Sequence, residues 1–273
     1  MKEIQALLEL MTRLRDPQTG CPWDQEQTFC SIAPYTIEEA YEVADTIERN
    51  ALDELKDELG DLLFQVVFHA QIASEKGLFD FADIATASVD KMTRRHPHVF
   101  AEVVKLDSQQ QTEAWESIKH KERKGQGLHS LLENIPLALP ALKRAQKIQQ
   151  RVAKVGFEWT ELTPVVAKIH EELREVLDEF ARPTAPAALE EEVGDLLFAC
   201  ANLARHLKID PERALRVAND KFTHRFQAIE QQFHAQGRNL EQVSVAEMES
   251  AWQLVKTSED KGVSTPAEKH NNH

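Results

Sequence analysis

The chain has 273 residues, 42% hydrophobic and 29% charged, which allows one large globular domain or two of ordinary size. The formal net charge of −14 excludes the basic footprint that non-specific nucleic-acid binding needs, and it would repel a free polyphosphate unless a metal ion intervened. Only 9 glycines are present, which argues against many tight turns and favours helices.

Charged residues run through the N-terminal stretch MKEIQALLELMTRLRD, which predicts an amphipathic helix and not a signal peptide. No apolar run approaches the roughly 18 residues that a membrane span needs. The cysteines Cys21, Cys30 and Cys200 are odd in number and match no zinc-site spacing, which favours free thiols in a reducing compartment. We therefore expect a cytoplasmic protein with no membrane partner and no nucleic-acid partner.

Two acidic helices are predicted next in the chain. The first, YTIEEAYEVADTIE, has Thr36 as a possible N-cap and Glu39 three residues later, which is a capping-box spacing. The second, LKDELGDLLFQVVFHA, carries a core-facing apolar stripe at helical spacing, formed by Leu55, Leu59, Leu62, Val66 and Ala70. Glu58 and Asp61 lie on one flank of this stripe and are therefore expected close to the core.

Carboxylates are crowded on both helices without nearby cations. Glu39 and Glu42 are three residues apart, as are Glu58 and Asp61, so each pair shares a helix face and repels by about 0.2–0.5 kcal/mol. Neither pair has a Lys or Arg three or four positions away. If the helices are antiparallel neighbours, the four side chains form a cage of oxygen ligands that suits Mg²⁺, which completes its shell with water and substrate phosphates.

The whole pattern occurs twice. GDLLF stands at 60–64 and again at 194–198, and EEAYE is matched later by EELRE. The second set of carboxylates lies 133 or 134 positions after the first and consists of Glu172, Glu175, Glu192 and Asp195. Three further residues have counterparts downstream: Lys91 and Lys221, Arg95 and Arg225, Trp115 and Trp252. The chain is therefore predicted to be a tandem duplication.

Each copy is predicted to be an all-α, four-helix-type domain, because no convincing strand pattern is present. The domains are expected at 1–122 and 131–256, joined by the charged, Gly-containing linker 123–130. The tail 257–273 is polar and aperiodic, so we expect it to be disordered. A single half would leave apolar stripes uncovered, which favours an intertwined homodimer.

Other carboxylate or phosphate chemistries fit the sequence poorly. A di-iron bundle needs Glu-x-x-His motifs, and no histidine has a Glu three residues before it. No two glycines are five apart, which excludes a P-loop, and no His-Asp dipeptide is present. The HPH stretch at 96–98 lacks a third metal ligand.

The two motifs, EEAYE with ELGD and EELRE with EVGD, resemble the MazG family of all-α nucleoside triphosphate pyrophosphohydrolases. Their pattern is E-E-x-x-E, a spacer, then E-x-x-D, and the resemblance covers nearly the whole chain. It implies hydrolysis of nucleoside triphosphates to a monophosphate and pyrophosphate. It also implies that Mg²⁺ is held by the second set of carboxylates, Glu172, Glu175, Glu192 and Asp195, which Glu39, Glu42, Glu58 and Asp61 match.

Residues beside the cage suggest the remaining roles. Glu171 or Glu191 could position or deprotonate the attacking water, and the sequence does not choose between them. Lys221 and Arg225 share a helix face and form the expected phosphate clamp, to which Lys168 could add a contact. One further residue, Trp252, could stack on any base, which favours broad ribo- and deoxyribonucleotide specificity and a role in nucleotide-pool housecleaning.

The second half is predicted to be the active one. Pro97 should end the first clamp helix at His96, which would leave Arg95 at a fraying end. The second clamp helix continues for about three turns past Arg225, at 3.6 residues per turn. The alternative function is a non-catalytic helical regulator that senses nucleotide or binds a protein, and Mg²⁺-dependent turnover would separate the two.

Overall fold

The computed structural model describes residues 2–101, 107, 110–111, 114–115, 118, 122, 130–182 and 186–262. Within these residues every regular element is a helix, which confirms the predicted all-α fold. The chain divides into two compact units, Met1–Gln126 and Gly127–His273. Residues 123–129 of the predicted linker lie outside the described residues, so the linker boundaries stay a prediction.

The first unit begins with helices packed around one apolar core. The described helices are α1 (Lys2–Leu14), α2 (Pro22–Glu26), α3 (Phe29–Glu48), α4 (Leu55–Glu75), α5 (Phe81–Arg95) and α6 (Pro97–Phe100). A short connection makes α3 and α4 antiparallel neighbours that pack along much of their length. The core consists of Met11, Ile32, Val67, Phe68 and Ile72, each of which contributes about 1.5–3 kcal/mol by burial.

Two local predictions for this unit were wrong. Helix α3 starts at Phe29, because Thr28 and Ser31 form a reciprocal capping box. Thr36 therefore lies inside the helix, where its hydroxyl hydrogen-bonds the Ile32 carbonyl at 3.3 Å and His69 Nε2 at 3.0 Å. On α4, the predicted stripe residue Leu59 is 48% exposed. Helix α4 begins at Leu55, so Leu59 lies in its first turns, ahead of Val67, Phe68 and Ile72, which share the core with Met11 of α1.

The second unit repeats the helical arrangement. Its described elements are α7 (Ala141–Ala153), α8 (Leu162–Phe180), α9 (Pro186–His206), α10 (Pro211–Ala235), a 3₁₀ turn (Leu240–Gln242) and α11 (Val245–Gly262). Helix α9 packs against both α7 and α8, and α10 packs against α11. The last helix continues to Gly262, past residue 257, where the tail was predicted to begin, and residues 263–273 lie outside the described part of the chain.

The two clamp helices differ in length as predicted. Helix α5 ends at Arg95, just before Pro97, whereas α10 continues past Arg225 to Ala235. The expectation that Arg95 would be poorly fixed was wrong, because its guanidinium hydrogen-bonds Glu122 at 2.7 Å. A tertiary ion pair therefore holds the side chain at the end of the helix. None of the helices in the described residues is long and apolar enough to cross a membrane.

Candidate active site

Two clusters of carboxylates form where each pair of acidic helices meets. In the first unit, α3 contributes Glu39 and α4 contributes Glu58 and Asp61, with one oxygen of each lying within 4.8 Å of the others. In the second unit, α8 and α9 bring together Glu172, Glu192 and Asp195 within the same limit. We call these groups the first cage and the second cage.

The fourth predicted member of each cage lies beside the other three. Burial raises the pKa of both Glu39 and Glu58, and the charge of Glu42 raises each pKa further. Glu175 shares a hydrogen bond with Glu172, and this bond, followed by burial, raises the pKa of Glu175. Burial and neighbouring carboxylates therefore disfavour the charged form of Glu39 and Glu58 in the first unit and of Glu175 in the second.

Among the described residues, a lysine forms an ion pair with the second cage, and none forms one with the first. Lys168 on α8 contacts Glu172 at 2.7 Å and Glu171 at 2.8 Å. Glu172 is 5% exposed, so the lysine compensates a buried carboxylate. Lys168 lies 133 positions after Tyr35, which occupies the corresponding place in the first unit and carries no charge. The two cages therefore have similar ligands but different balancing charge.

The residues of both cages fit a hard divalent cation. Every donor is a carboxylate oxygen, which is the ligand type that Mg²⁺ and Ca²⁺ prefer. In the second cage, the ammonium group of Lys168 already lies against Glu172, where a positive charge is favourable. Both observations indicate that the cages can bind a cation, whereas its identity is not fixed by the donor set.

The predicted clamp residues lie on other helices. Arg225 on α10 forms an ion pair with Glu259 at 2.8 Å and stands 5.7 Å from the ring centroid of Trp252. Trp252 also packs on Phe222, with ring centroids 5.1 Å apart. Lys221 is exposed on the same helix. These side chains are grouped with one another, and their roles toward a substrate stay predictions.

The two residues predicted to handle water differ in their surroundings. Glu171 is exposed and bound by Lys168, which lowers the pKa of the Glu171 carboxyl. Glu191 is also exposed, and it makes no hydrogen bond or ion pair within the described residues.

In the first unit, Lys91 is likewise exposed, and His96 packs against Trp115 with ring centroids 5.8 Å apart.

A cavity of about 560 Å³ opens beside the second cage. Lys168, Glu172 and Asp195 line one part of it, and the rest is lined mainly by apolar side chains of α7, α9 and the α7–α8 connection. Lys221, Arg225 and Trp252 are not among the described residues that line it. The cage therefore continues directly into a space large enough for a small organic molecule.

The family follows from matches that contain both cages. A model of the MazG nucleotide pyrophosphohydrolase domain matches residues 27–100 and 161–229. The chain belongs to the MazG nucleotide pyrophosphohydrolase family. Each matched segment holds one complete cage with its Lys and Arg pair, whereas Trp115 and Trp252 lie outside both.

Similar proteins extend the MazG match over almost the whole chain. A protein named nucleoside triphosphate pyrophosphohydrolase from Escherichia coli strain K12 is 55% identical over 260 residues, covering 95% of this chain and 99% of the relative. A Thermotoga maritima protein named nucleoside triphosphate pyrophosphohydrolase/pyrophosphatase MazG is 41% identical, covering 94% of this chain and 96% of its own length. The uncharacterized Bacillus subtilis protein YabN is 40% identical over 94% of this chain, which spans 52% of YabN.

The sequence did not predict the cavity or the ion pairs of Lys168 with Glu171 and Glu172. The predicted MazG motif describes the carboxylate face only, and the segment GFEW at 156–159 lies before the second matched segment. The available signal was the resemblance between GFEW and GCPW at 20–23, which places Trp159 and Trp23 at corresponding positions. Lys168 was predicted to bind phosphate, but its spacing of four from Glu172 equally allows the observed ion pair.

Proposed function

We propose that the second unit hydrolyses nucleoside triphosphates, with Mg²⁺, to a nucleoside monophosphate and pyrophosphate. The observation that carries this proposal is the continuity of the second cage with a cavity that could take the organic part of a nucleotide. Family membership supports the same reaction, as do the names of the relatives from E. coli and T. maritima. Broad action on ribo- and deoxyribonucleotides, as in nucleotide-pool housecleaning, is part of the proposal.

The second-cage carboxylates would hold the metal. Glu172, Glu175, Glu192 and Asp195 supply acidic oxygens from two facing helices, which suits a cation that also binds phosphate oxygens. When bound, Mg²⁺ neutralises phosphate charge and polarises a phosphoryl oxygen. Lys168 compensates Glu172 before the metal arrives, and its flexible stem would let the ammonium group move from the carboxylates to a phosphate.

Neighbouring carboxylates would orient the attacking water. Glu171 is tied to Lys168 and has a lowered pKa, so it is a weak base until that ion pair opens. Glu191 is held by no hydrogen bond among the described residues, which favours it as the residue that accepts the proton of the water. Lys221 and Arg225 would then clamp the phosphates once Arg225 leaves Glu259.

The first unit would serve metal binding, stability or regulation, and we propose a homodimer as the working form. Apolar side chains remain exposed on the cage-bearing helices of the second unit, including Leu173, Leu177 and Leu197. A second copy of the chain could cover such a face. Size-exclusion chromatography with light scattering would test this, and a monomer at micromolar concentration would contradict it.

The identity of the products tests the proposed reaction. Wild-type protein is incubated with ATP, dGTP and dCTP in turn, with and without Mg²⁺, and the products are separated by anion-exchange chromatography. We expect monophosphate and pyrophosphate in equal amounts, and no turnover with excess chelator. Diphosphate and orthophosphate as the primary products would contradict the proposal, because they require cleavage between the β and γ phosphates.

A further inference from the structure

The cavity beside the second cage has one charged end and one largely apolar end. Lys168, Glu172 and Asp195 lie at the charged end, and Phe157, with other apolar side chains, lines the remainder. A nucleoside triphosphate has the same division, with a charged chain at one end and a flat, largely apolar base at the other. The volume of about 560 Å³ falls within the usual range for small-molecule sites, about 300–1,000 Å³.

Phe157 offers an aromatic face at the edge of this cavity. It is 79% exposed, which is unusual for a phenylalanine, and the chain holds it there through the end of α7. Gly156 adopts φ +82°, and the Phe157 N–H donates to the Val152 carbonyl at 3.1 Å. This helix-ending arrangement fixes the backbone that carries the ring. An exposed ring on a fixed backbone can stack on a base.

Asn202 presents a hydrogen-bond donor to the same cavity. Arg205 Nε donates to Asn202 Oδ1 at 2.9 Å, and Arg205 is itself held by Glu158 at 2.9 Å. A guanidinium group can only donate, so the Asn202 oxygen must face it. The Nδ2 amide then points away from Arg205, and it has no hydrogen-bond partner among the described residues. All three side chains line the cavity.

The first unit has a different residue at this place. Asn202 lies 134 positions after Phe68, the same offset that relates Asp195 to Asp61. Phe68 is 1% exposed and belongs to the first-unit core with Met11. The guanidinium of Arg15 lies 5.4 Å from its ring centroid. A large buried ring therefore takes the position at which the second unit has a small polar side chain beside open space.

We propose that this cavity binds the nucleoside part of the substrate, with Phe157 stacking on the base and Asn202 donating to it. This assignment replaces the base stacking predicted for Trp252, which does not line the cavity. The inference rests on the proposed function, since it assigns a part of that substrate. It also implies that the first cage, with Phe68 behind it, binds a cation or a metal–phosphate group but not a nucleoside. The residue at positions 68 and 202 thus determines which unit accepts a nucleotide.

Equilibrium binding of two probes distinguishes the contribution of the nucleoside to affinity from that of the phosphates. The probes are ATP and inorganic tripolyphosphate, both with Ca²⁺, measured on wild-type protein, Phe157→Ala and Asn202→Phe. The matched control is Phe180→Ala, which removes a ring that is 75% exposed and does not line the cavity. Phe157 is so exposed that its truncation should leave the fold intact, which thermal unfolding would verify.

We expect Phe157→Ala to weaken ATP binding by about 5- to 150-fold, in keeping with about 1–3 kcal/mol for base stacking. Tripolyphosphate binding should stay within about twofold of wild type, because the probe has no base to stack. Asn202→Phe should show the same selective loss, and Phe180→Ala should bind both probes like wild type.

The proposal would be overturned if Phe157→Ala and Asn202→Phe bound ATP as wild type does, or if both probes weakened equally. Failure of the proposed reaction would look different, because wild-type protein would bind ATP and release no pyrophosphate. The nucleoside assignment would still be decided in that case, since the binding comparison does not depend on turnover.

Discussion

The two cages place their carboxylates alike and differ in what surrounds them. In the second cage, Lys168 compensates the buried Glu172, whereas Tyr35 holds the corresponding position in the first. Behind the second cage lies a cavity edged by Asn202, and behind the first lies the buried ring of Phe68. A repeated ligand motif therefore predicts two cation sites, whereas the residues around each cage determine whether a nucleotide can also enter.

The largest expected difference between the units is in activity. We predict that Glu175→Gln lowers pyrophosphate release by about 100-fold or more, because losing one metal ligand removes several kcal/mol of charge stabilisation. Glu42→Gln, the same change in the first unit, should keep most activity. Initial rates of the full-length variants at saturating Mg²⁺ measure this.

Circular dichroism serves as the control, since both variants should remain folded. Because Glu175 has a raised pKa beside Glu172, its replacement should slightly stabilise the metal-free protein. If Glu42→Gln removed most activity and Glu175→Gln kept it, the assignment of the units would be reversed.

The helices and cages were predictable because their signals are local. Helical spacing places Glu39 beside Glu42 and Glu58 beside Asp61, and the repeat shows that the arrangement occurs twice. Proline chemistry likewise predicted that α5 ends at His96 while α10 continues, and α5 ends one residue earlier, at Arg95. Local chemistry misled at Thr36, where two signals competed, because the Thr28–Ser31 capping box starts α3 earlier despite Pro34 inside the helix.

The surroundings of the cages were not predictable in the same way. Position 68 is filled by a buried ring, whereas position 202 lies beside a cavity. This difference depends on residues from several helices, such as Met11, which packs in the core with Phe68. The pairing of Lys168 with Glu171 and Glu172 depends on side-chain geometry, because a phosphate contact fits the same spacing. Such features arise from tertiary packing, for which a single sequence carries no periodic signal.

Removing the balancing lysine should make the second cage behave like the first. We predict that Lys168→Met lowers the free energy of unfolding of the metal-free protein by about 0.2–1 kcal/mol, the range expected for a partly exposed ion pair. Added Mg²⁺ should then raise the melting temperature more than it does in wild-type protein, because the cation replaces a missing charge.

Lys147→Met is the matched control, since Lys147 is an exposed lysine on α7. Thermal unfolding with chelator and with saturating Mg²⁺ gives both quantities. An equal loss of stability in the two conditions would show that Lys168 does not substitute for a cation.

The smallest expected effect is on how the stability of the first cage, which has Tyr35 at the position of Lys168, depends on pH. The pKa of Glu39 is raised above its ordinary value of 4.5 by burial and then by Glu42, so the native state binds its proton more tightly than the unfolded chain does. The charged form therefore costs stability above the raised pKa, and this cost disappears as the pH falls below about 4.5. Glu39→Gln should stabilise metal-free protein at pH 7 by about 0.2–0.5 kcal/mol, as for one like-charge contact, and the gain should shrink on acidification.

Glu171→Gln in the second unit should have the opposite sign. Lys168 lowers the pKa of Glu171, so its charged form adds stability above the unfolded pKa, and that contribution is lost as the pH falls through the lowered native value. The substitution should therefore destabilise metal-free protein at pH 7 and have no effect in acid. Urea unfolding of both variants and wild type from pH 7 down to about pH 3, below the ordinary glutamate pKa, tests the pair. Effects of the same sign would show that Lys168 does not set the electrostatic difference between the two cages.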